Sequence, residues 1–183
     1  RAAANLLARR GKSVLLSDLK ESSTENLHPN VRVQFGDNAI EADTQVVVVS
    51  PGLKPSLAVF KTLPDGLPVI SEIDLAYDAT ETPFIGITGT DGKTTTTSLI
   101  EHLLTEGGIR TVAAGNIGTP LCDVVDGSWD VIVAEVSAFQ LWSCHHFRAE
   151  ISVFTNLAAD HLDYFETFEE YVDAKHRLVE FSR

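Results

Sequence analysis

Phe84-Ile85-Gly86-Ile87-Thr88-Gly89-Thr90-Asp91-Gly92-Lys93-Thr94-Thr95 reads as a strand running into a glycine loop, then Lys-Thr, then a helix. That layout builds a phosphate-binding loop. Gly89 and Gly92 carry no Cβ, so backbone N–H groups can curl around an anion. Lys93 is placed to reach β- and γ-phosphates, and the Thr94 hydroxyl to ligate Mg2+. A helix from Thr94 to about Glu106 points its positive dipole end at the same place. The strict spacing G-x-x-x-x-G-K-[ST] is not kept. Ile87 stands where the first glycine belongs, and glycines 86 and 89 replace it. The expected nucleotide-contacting set is Gly89, Thr90, Asp91, Gly92, Lys93, Thr94 and Thr95.

Working outward, the chain predicts an α/β fold. Ahead of the loop come short apolar runs: Val14–Leu16, Val31–Phe35, Val46–Val49 and Pro68–Ile70. Strands separated by helices imply a parallel, Rossmann-like sheet. Val46–Val49 is all β-branched, as a strand covered on both faces should be. Ser71-x-x-Asp74 is a capping-box pattern opening a helix to about Ala79. Arg1–Arg10 reads as a helix capped by Gly11. Thr80-Glu81-Thr82-Pro83 is a polar hinge, which divides the chain into 1–82 and 83–183. After the loop helix come Thr111–Ala114, Val131–Ala134 and Ile151–Thr155. The expectation is a Rossmann-like first domain followed by a P-loop ATPase-type α/β domain, both incomplete.

Composition narrows the function classes. The formal net charge of −12 over 183 residues argues against a nucleic-acid surface. It leaves room for an anionic nucleotide held locally by amides, Lys and Mg2+. Cys122 and Cys144 supply neither a disulfide framework nor metal-ligand spacing, which fits a reducing, cytoplasmic setting. No apolar run approaches the ~18 residues of a membrane span, and no secretory leader pattern is read. The expected protein contacts neither nucleic acid nor membrane.

In open α/β sheets ligands sit at the carboxyl ends of the strands. That singles out Asn116, Glu135, Asn156, Asp160 and His161. Glu135 directly follows a strand near the loop, where a carboxylate suits Mg2+; the alternative is an ordinary loop acid. His161 lies between acids and suits a metal or phosphate role, or a surface one. His145-His146 reads as a surface pair. Ser137 and Gln140 either bind substrate or cap a helix. Lys175 shares the apolar stripe of Phe168, Tyr171, Val172, Leu178 and Val179 on a helix opened by Thr167-x-x-Glu170. A buried Lys is costly unless paired or neutralised; the alternative is a stem that snorkels outward.

Together the Gly86–Thr95 loop, Gly115-Asn116-Ile117-Gly118, Glu135 through Leu141, Asn156 through Asp163, and Tyr171-x-x-Ala174-Lys175 resemble the Mur ligases, ATP-dependent amino-acid ligases of peptidoglycan synthesis. Ser50-Pro51-Gly52 fits the same family's first domain. Phe139-Gln140-Leu141 points to the D-glutamate-adding members. The resemblance implies ligation of D-glutamate to UDP-N-acetylmuramoyl-L-alanine through an acyl phosphate, by a monomeric enzyme. It implies that the first strand with its glycine loop and a third domain lie outside these residues, so that this chain alone does not ligate.

By carry-over, Lys93 stabilises the γ-phosphate, and Thr94 and Glu135 hold a first Mg2+. His161 ligates a second Mg2+, supported by Lys175 carbamylated with CO2. Asn116 and Ser137 hold the muramoyl substrate, with Ser50 and Gln140 among the substrate contacts and Asp18 near the uracil. Asp91 stands where Asn is usual, adding negative charge near phosphate, and Ala138 replaces a frequent Ser. Rival readings are another Mur ligase, a folylpolyglutamate synthetase-type ligase, or a non-catalytic nucleotide-binding module.

Overall fold

The computed structural model describes residues 1–37, 40–53, 60 and 62–180. Helix α1 (Ala2–Arg9) leads into β1 (Val14–Asp18), β2 (Val31–Phe35), β3 (Val47–Val49) and β4 (Val69–Ser71). Helix α2 (Glu72–Asp78) and β5 (Phe84–Thr88) follow, then α3 (Lys93–Glu106), β6 (Thr111–Gly115), α4 (Leu121–Val124) and β7 (Val131–Glu135). The chain continues through α5 (Ala138–Trp142), β8 (Ile151–Phe154) and α6 (Phe168–Glu180).

The second half forms one four-stranded sheet in the order β6-β7-β5-β8, and its registered pairs are parallel. The first half carries two separate parallel pairs, β1-β2 and β3-β4, rather than one continuous sheet. The expected alternation of strand and helix also fails in part there. Among the described residues between β1 and β3 no helix is found: β2 is flanked only by turns, bends and irregular chain. The connection Glu21-Ser22-Ser23-Thr24-Glu25-Asn26 explains this: it has no apolar stripe to bury and is rich in residues that bond their own backbone.

Two of the local stop and start signals act as read. Gly11 (φ 75°) ends α1, with its N–H on the Ala8 carbonyl. Ser71 and Asp74 form a reciprocal capping box on α2. At α6 the box is only half made: Thr167 Oγ1 accepts the Glu170 N–H, but the Glu170 carboxylate takes the N–H of Glu166.

One buried cluster joins both halves. Leu6, Ile73 and Ala76 belong to the same apolar core as Phe84, Leu121, Cys122, Val125 and Ile132. A smaller cluster of Ala138, Phe165, Tyr171 and Ala174 lies beside the loop residues, with Phe139, Trp142 and Tyr164 packed against it. Gly86 is not part of the phosphate loop, contrary to the expectation from spacing. It lies inside β5, where an added Cβ would come within 2.8 Å of Leu178 Cδ1 and 3.1 Å of Ala149 Cβ. Its missing side chain lets α6 dock against the sheet. No helix among the described residues is long and apolar enough to cross a membrane.

Candidate active site at the phosphate loop

The loop leaves β5 and enters α3 through Gly92, which sits in the left-handed region (φ 78°) as the N-cap. No side chain caps this helix start, and nothing lies within 4 Å of where a Gly92 Cβ would be. An open, uncapped N-terminus of a long helix, flanked by Lys93 and Thr94, is a donor set that fits phosphate. Lys93 Nζ is folded back, donating to the carbonyls of Gly89 (3.0 Å) and Thr90 (2.7 Å). To reach a phosphate it has to leave those carbonyls.

Gly89 (φ 147°) is required for a different reason. A Cβ there would fall 1.9 Å from Thr155 Oγ1. The loop is pressed against the segment after β8, and several of its groups are engaged by that segment. The Thr90 N–H donates to the Asn156 carbonyl (3.0 Å), and the Asp91 N–H to Asn156 Oδ1 (2.9 Å). These two amides of the expected nucleotide-contacting set are therefore already bonded to protein.

Glu135 ends β7 and is buried. Its Oε2 accepts from the Thr94 hydroxyl at 2.8 Å and its Oε1 from Asn116 Nδ2 at 2.8 Å. The backbone makes this possible: Gly115 (φ 103°) packs so close that a Cβ would lie 2.3 Å from the Glu135 carbonyl, and the Asn116 N–H donates to that same carbonyl. A hydroxyl and an oriented carboxylate beside a phosphate loop form a hard-oxygen pair that fits Mg2+. Asn116 sets the carboxylate's direction.

The second cluster is built on α6. Its buried face is Tyr171, Ala174, Lys175 and Leu178, whereas Phe168 and Val179 of the expected stripe are exposed. Lys175 is 1% exposed, which removes the snorkelling alternative. Its Nζ donates to the Gly89 carbonyl at 2.6 Å and lies 4.7 Å from the centre of the Tyr171 ring. Burial, reinforced by the nearby Lys93 charge, lowers the Lys175 pKa to about 8.

His161 takes a left-handed conformation (φ 55°) and remains partly exposed, 3.4 Å from Asp160. Its ring lies 4.7 Å from Phe139 and 6.2 Å from Tyr171. His161 and Lys175 thus share Tyr171 as a neighbour. Among the described residues no three His, Cys, Asp or Glu side chains cluster as a metal site. Lys175 as an ammonium cannot ligate a cation, so the set for a second ion does not fit in this state.

The remaining expected residues are spread out. Ser137 and Gln140 form a capping box on α5, at the carboxyl end of β7. Asp18 and Ser50 are exposed, just at or after the ends of β1 and β3. The Tyr164 hydroxyl donates to the Leu53 carbonyl, tying the turn after Ser50 to the His161 loop. His146 contacts Asp78 at 3.0 Å and is half-exposed, in keeping with a surface role.

Two contributors escaped the sequence reading. The Tyr171 hydroxyl lies 3.0 Å from Thr90 Oγ1, linking α6 to the loop. Its position four residues before Lys175 was the available signal. Asn156 stands at a strand end, where position alone assigns it no task.

The Mur ligase middle domain matches residues 87–183. The chain is 42% identical over 185 residues to the UDP-N-acetylmuramoylalanine–D-glutamate ligase of Streptococcus agalactiae, covering 95% of this chain and 41% of that protein. It is 40% identical to the enzyme of the same name from Geobacter metallireducens, covering 98% of this chain and 42% of that one. It therefore spans about two-fifths of the length of these relatives. Among solved structures it is similar to the UDP-N-acetylmuramate:L-alanyl-gamma-D-glutamyl-meso-diaminopimelate ligase from Neisseria meningitides (TM-score 0.64, 21% identity, 100% of this chain and 64% of that one). It is also similar to the UDP-N-acetylmuramate-alanine ligase of Thermotoga maritima (TM-score 0.55, 18% identity, 99% and 44%). At such identities these two likenesses show the fold: mixed α/β with parallel strands. With the middle-domain model matching more than half of its residues, the chain belongs to the Mur ligase family.

Proposed function

We propose that this chain is the nucleotide-handling part of a D-glutamate-adding ligase acting on UDP-N-acetylmuramoyl-L-alanine. The observation that carries it is the pairing of Glu135 with Thr94 beside the open N-terminus of α3. The 42% identity to a UDP-N-acetylmuramoylalanine–D-glutamate ligase supports the substrate choice. Residues 1–82 serve the uridine end and 83–183 the ATP end, working in a monomer in the cytoplasm. The pairs β2-β1 and β3-β4 are what a doubly wound order 3-2-1-4-5 leaves when strand 1 is taken out, which supports the first half of that division.

The reaction runs in two steps. A carboxylate oxygen of the substrate attacks the γ-phosphorus of ATP, the bond to the ADP oxygen breaks, and an acyl phosphate forms. The D-glutamate amine then attacks the acyl carbon, phosphate leaves, and the nitrogen gives up a proton. Such chemistry needs positioning and charge neutralisation more than covalent help. Lys93 leaves its two loop carbonyls and meets the γ-phosphate. Thr94 and Glu135 would hold one Mg2+, which supplies charge stabilisation on the phosphate oxygens. Asn116 keeps the Glu135 carboxylate pointed at Thr94. His161 and Lys175 would hold a second cation only if the Lys175 ammonium were first converted to a carbamate, which would supply an anionic oxygen ligand. Asp18, Ser50, Ser137 and Gln140 are the proposed substrate contacts.

The test is phosphate release by the full-length protein with ATP, Mg2+ and UDP-N-acetylmuramoyl-L-alanine. Release that depends on D-glutamate, and not on L-alanine, L-lysine or meso-diaminopimelate, is the expected outcome. Release with another amino acid moves the chain to a different ligase; none with any amino acid leaves a nucleotide-binding module.

A further inference from the structure

Asn156 directly follows the thread out of β8 and makes a paired contact with a single residue of the loop. Its Oδ1 accepts the Asp91 N–H at 2.9 Å, and its Nδ2 donates to the Asp91 carbonyl at 2.9 Å. A carboxamide carries its donor and its acceptor on two adjacent atoms, which suits it to hold the N–H and the C=O of one residue at once. Thr155 Oγ1 adds a bond to the same carbonyl at 2.7 Å. The Thr90 hydroxyl joins the next turn of this thread, 3.0 Å from the Ala158 nitrogen and 3.1 Å from its carbonyl oxygen.

This contact fixes a direction. The Asp91 carbonyl and the Gly92 N–H belong to one peptide unit, and in a trans peptide they point to opposite sides. No cis peptide is present among the described residues. Holding the carbonyl on Asn156 and Thr155 therefore turns the Gly92 N–H away from residues 155–158. Gly92, at φ 78°, has no atom within 4 Å of where a Cβ would lie, so no neighbour packs against it there to set that orientation. With the Thr90 and Asp91 amides already bonded, the amides left for phosphate begin at Gly92.

We propose that Asn156 is a positioning residue for nucleotide binding, whose carboxamide clamps the Asp91 peptide and so aims the Gly92 N–H at the phosphate. The proposal rests on the nucleotide-binding reading above. It also places Asp91 by its backbone, so that the loop's shape does not depend on the Asp91 side chain.

The test compares wild type, Asn156→Asp and Thr155→Val in the full-length protein, measuring Mg-ADP affinity by calorimetry and the melting temperature in parallel. Asn156→Asp keeps size and the acceptor but faces the Asp91 carbonyl with an oxygen. It should weaken Mg-ADP binding about tenfold or more, the equivalent of ~1.4 kcal/mol. Thr155→Val keeps shape, loses one of the two donors and should weaken it roughly threefold. Mg-ADP affinities within twofold of wild type in folded variants, with only the melting temperature lowered, would make Asn156 a structural residue and overturn the proposal. A wild-type protein that does not bind Mg-ADP would overturn the nucleotide reading and this inference with it.

Discussion

Lys175 shows how far a single residue can be read. Helical spacing placed a cation on an apolar face, and that face is buried. The energetic consequence is testable. A lysine whose folded pKa is about 8, against an ordinary 10.5, is penalised for its charge in the folded state. Between those two values the unfolded chain holds a proton that the folded chain does not, so stability rises with pH across that window. Lys175→Met removes the penalty without stranding the Gly89 carbonyl, because Lys93 Nζ also donates to it. In CO2-free buffer the variant should be more stable than wild type by roughly 2–3 kcal/mol below pH ~8, with the gain vanishing towards pH ~10.5. Urea denaturation at several pH values reads this out. A variant less stable than wild type at pH 7 would mean that the ammonium is well solvated. The Asn156 contact was not legible in the same way: it joins residues 65 apart in sequence. No local periodicity reports such a pairing; only the strand-end position of Asn156 was visible.

Elements were legible where a pattern is local, and illegible where it depends on a distant surface. The β-branched runs and capping boxes placed the strands and helix starts to within a residue or two, because those signals act over four residues. Asp74 shows the other case. Its place as the third residue of a capping box was readable, but the box is only half its task. Its buried carboxylate also accepts the backbone N–H groups of His145, His146 and Phe147 and the Cys144 thiol. It thereby fastens α2 to the turn after α5. Burial pushes its pKa upwards, but hydrogen bonds from the His146 amide, Ser71 and Cys144 outweigh that and hold the carboxyl below its usual range. Its stabilising effect is present above the unfolded carboxyl pKa and is lost as pH falls through the folded one. Asp74→Asn turns an NH2 group towards buried donors and should cost about 3 kcal/mol at pH 7. The cost should shrink on acidification, as wild type loses the same bonds. Chemical denaturation at pH 7 and pH 3 measures both; an equal cost at the two values would remove the charge from the explanation.

Across the whole molecule, the polar hinge at Thr80–Pro83 suggested two units, and the packing links them. Leu6, Ile73 and Ala76 from one side share a core with Leu121, Cys122 and Val125 from the other. Arg9 and Arg10 both reach Asp126, and Arg10 also donates to the Ala79 carbonyl. The ion pairs are half-exposed and contribute little; the apolar contact dominates, at about 25 cal/mol per Å² removed from water. Such a shared core couples the melting of α1 and α2 to that of the four-stranded sheet. Urea unfolding followed by tryptophan fluorescence reports on Trp129, which packs against the core, and on Trp142 beside the smaller cluster. Far-UV circular dichroism reports on all the helices. The two midpoints should coincide, and Leu6→Ala should lower both together by about 2–4 kcal/mol of stability. Separate transitions, with Leu6→Ala moving only the dichroism signal, would mean that the hinge divides folding as well as function. Coincident transitions would make α1 and α2 part of the platform that holds Glu135 against Thr94, since β7 carries both Ile132 of the shared core and Glu135 of the site.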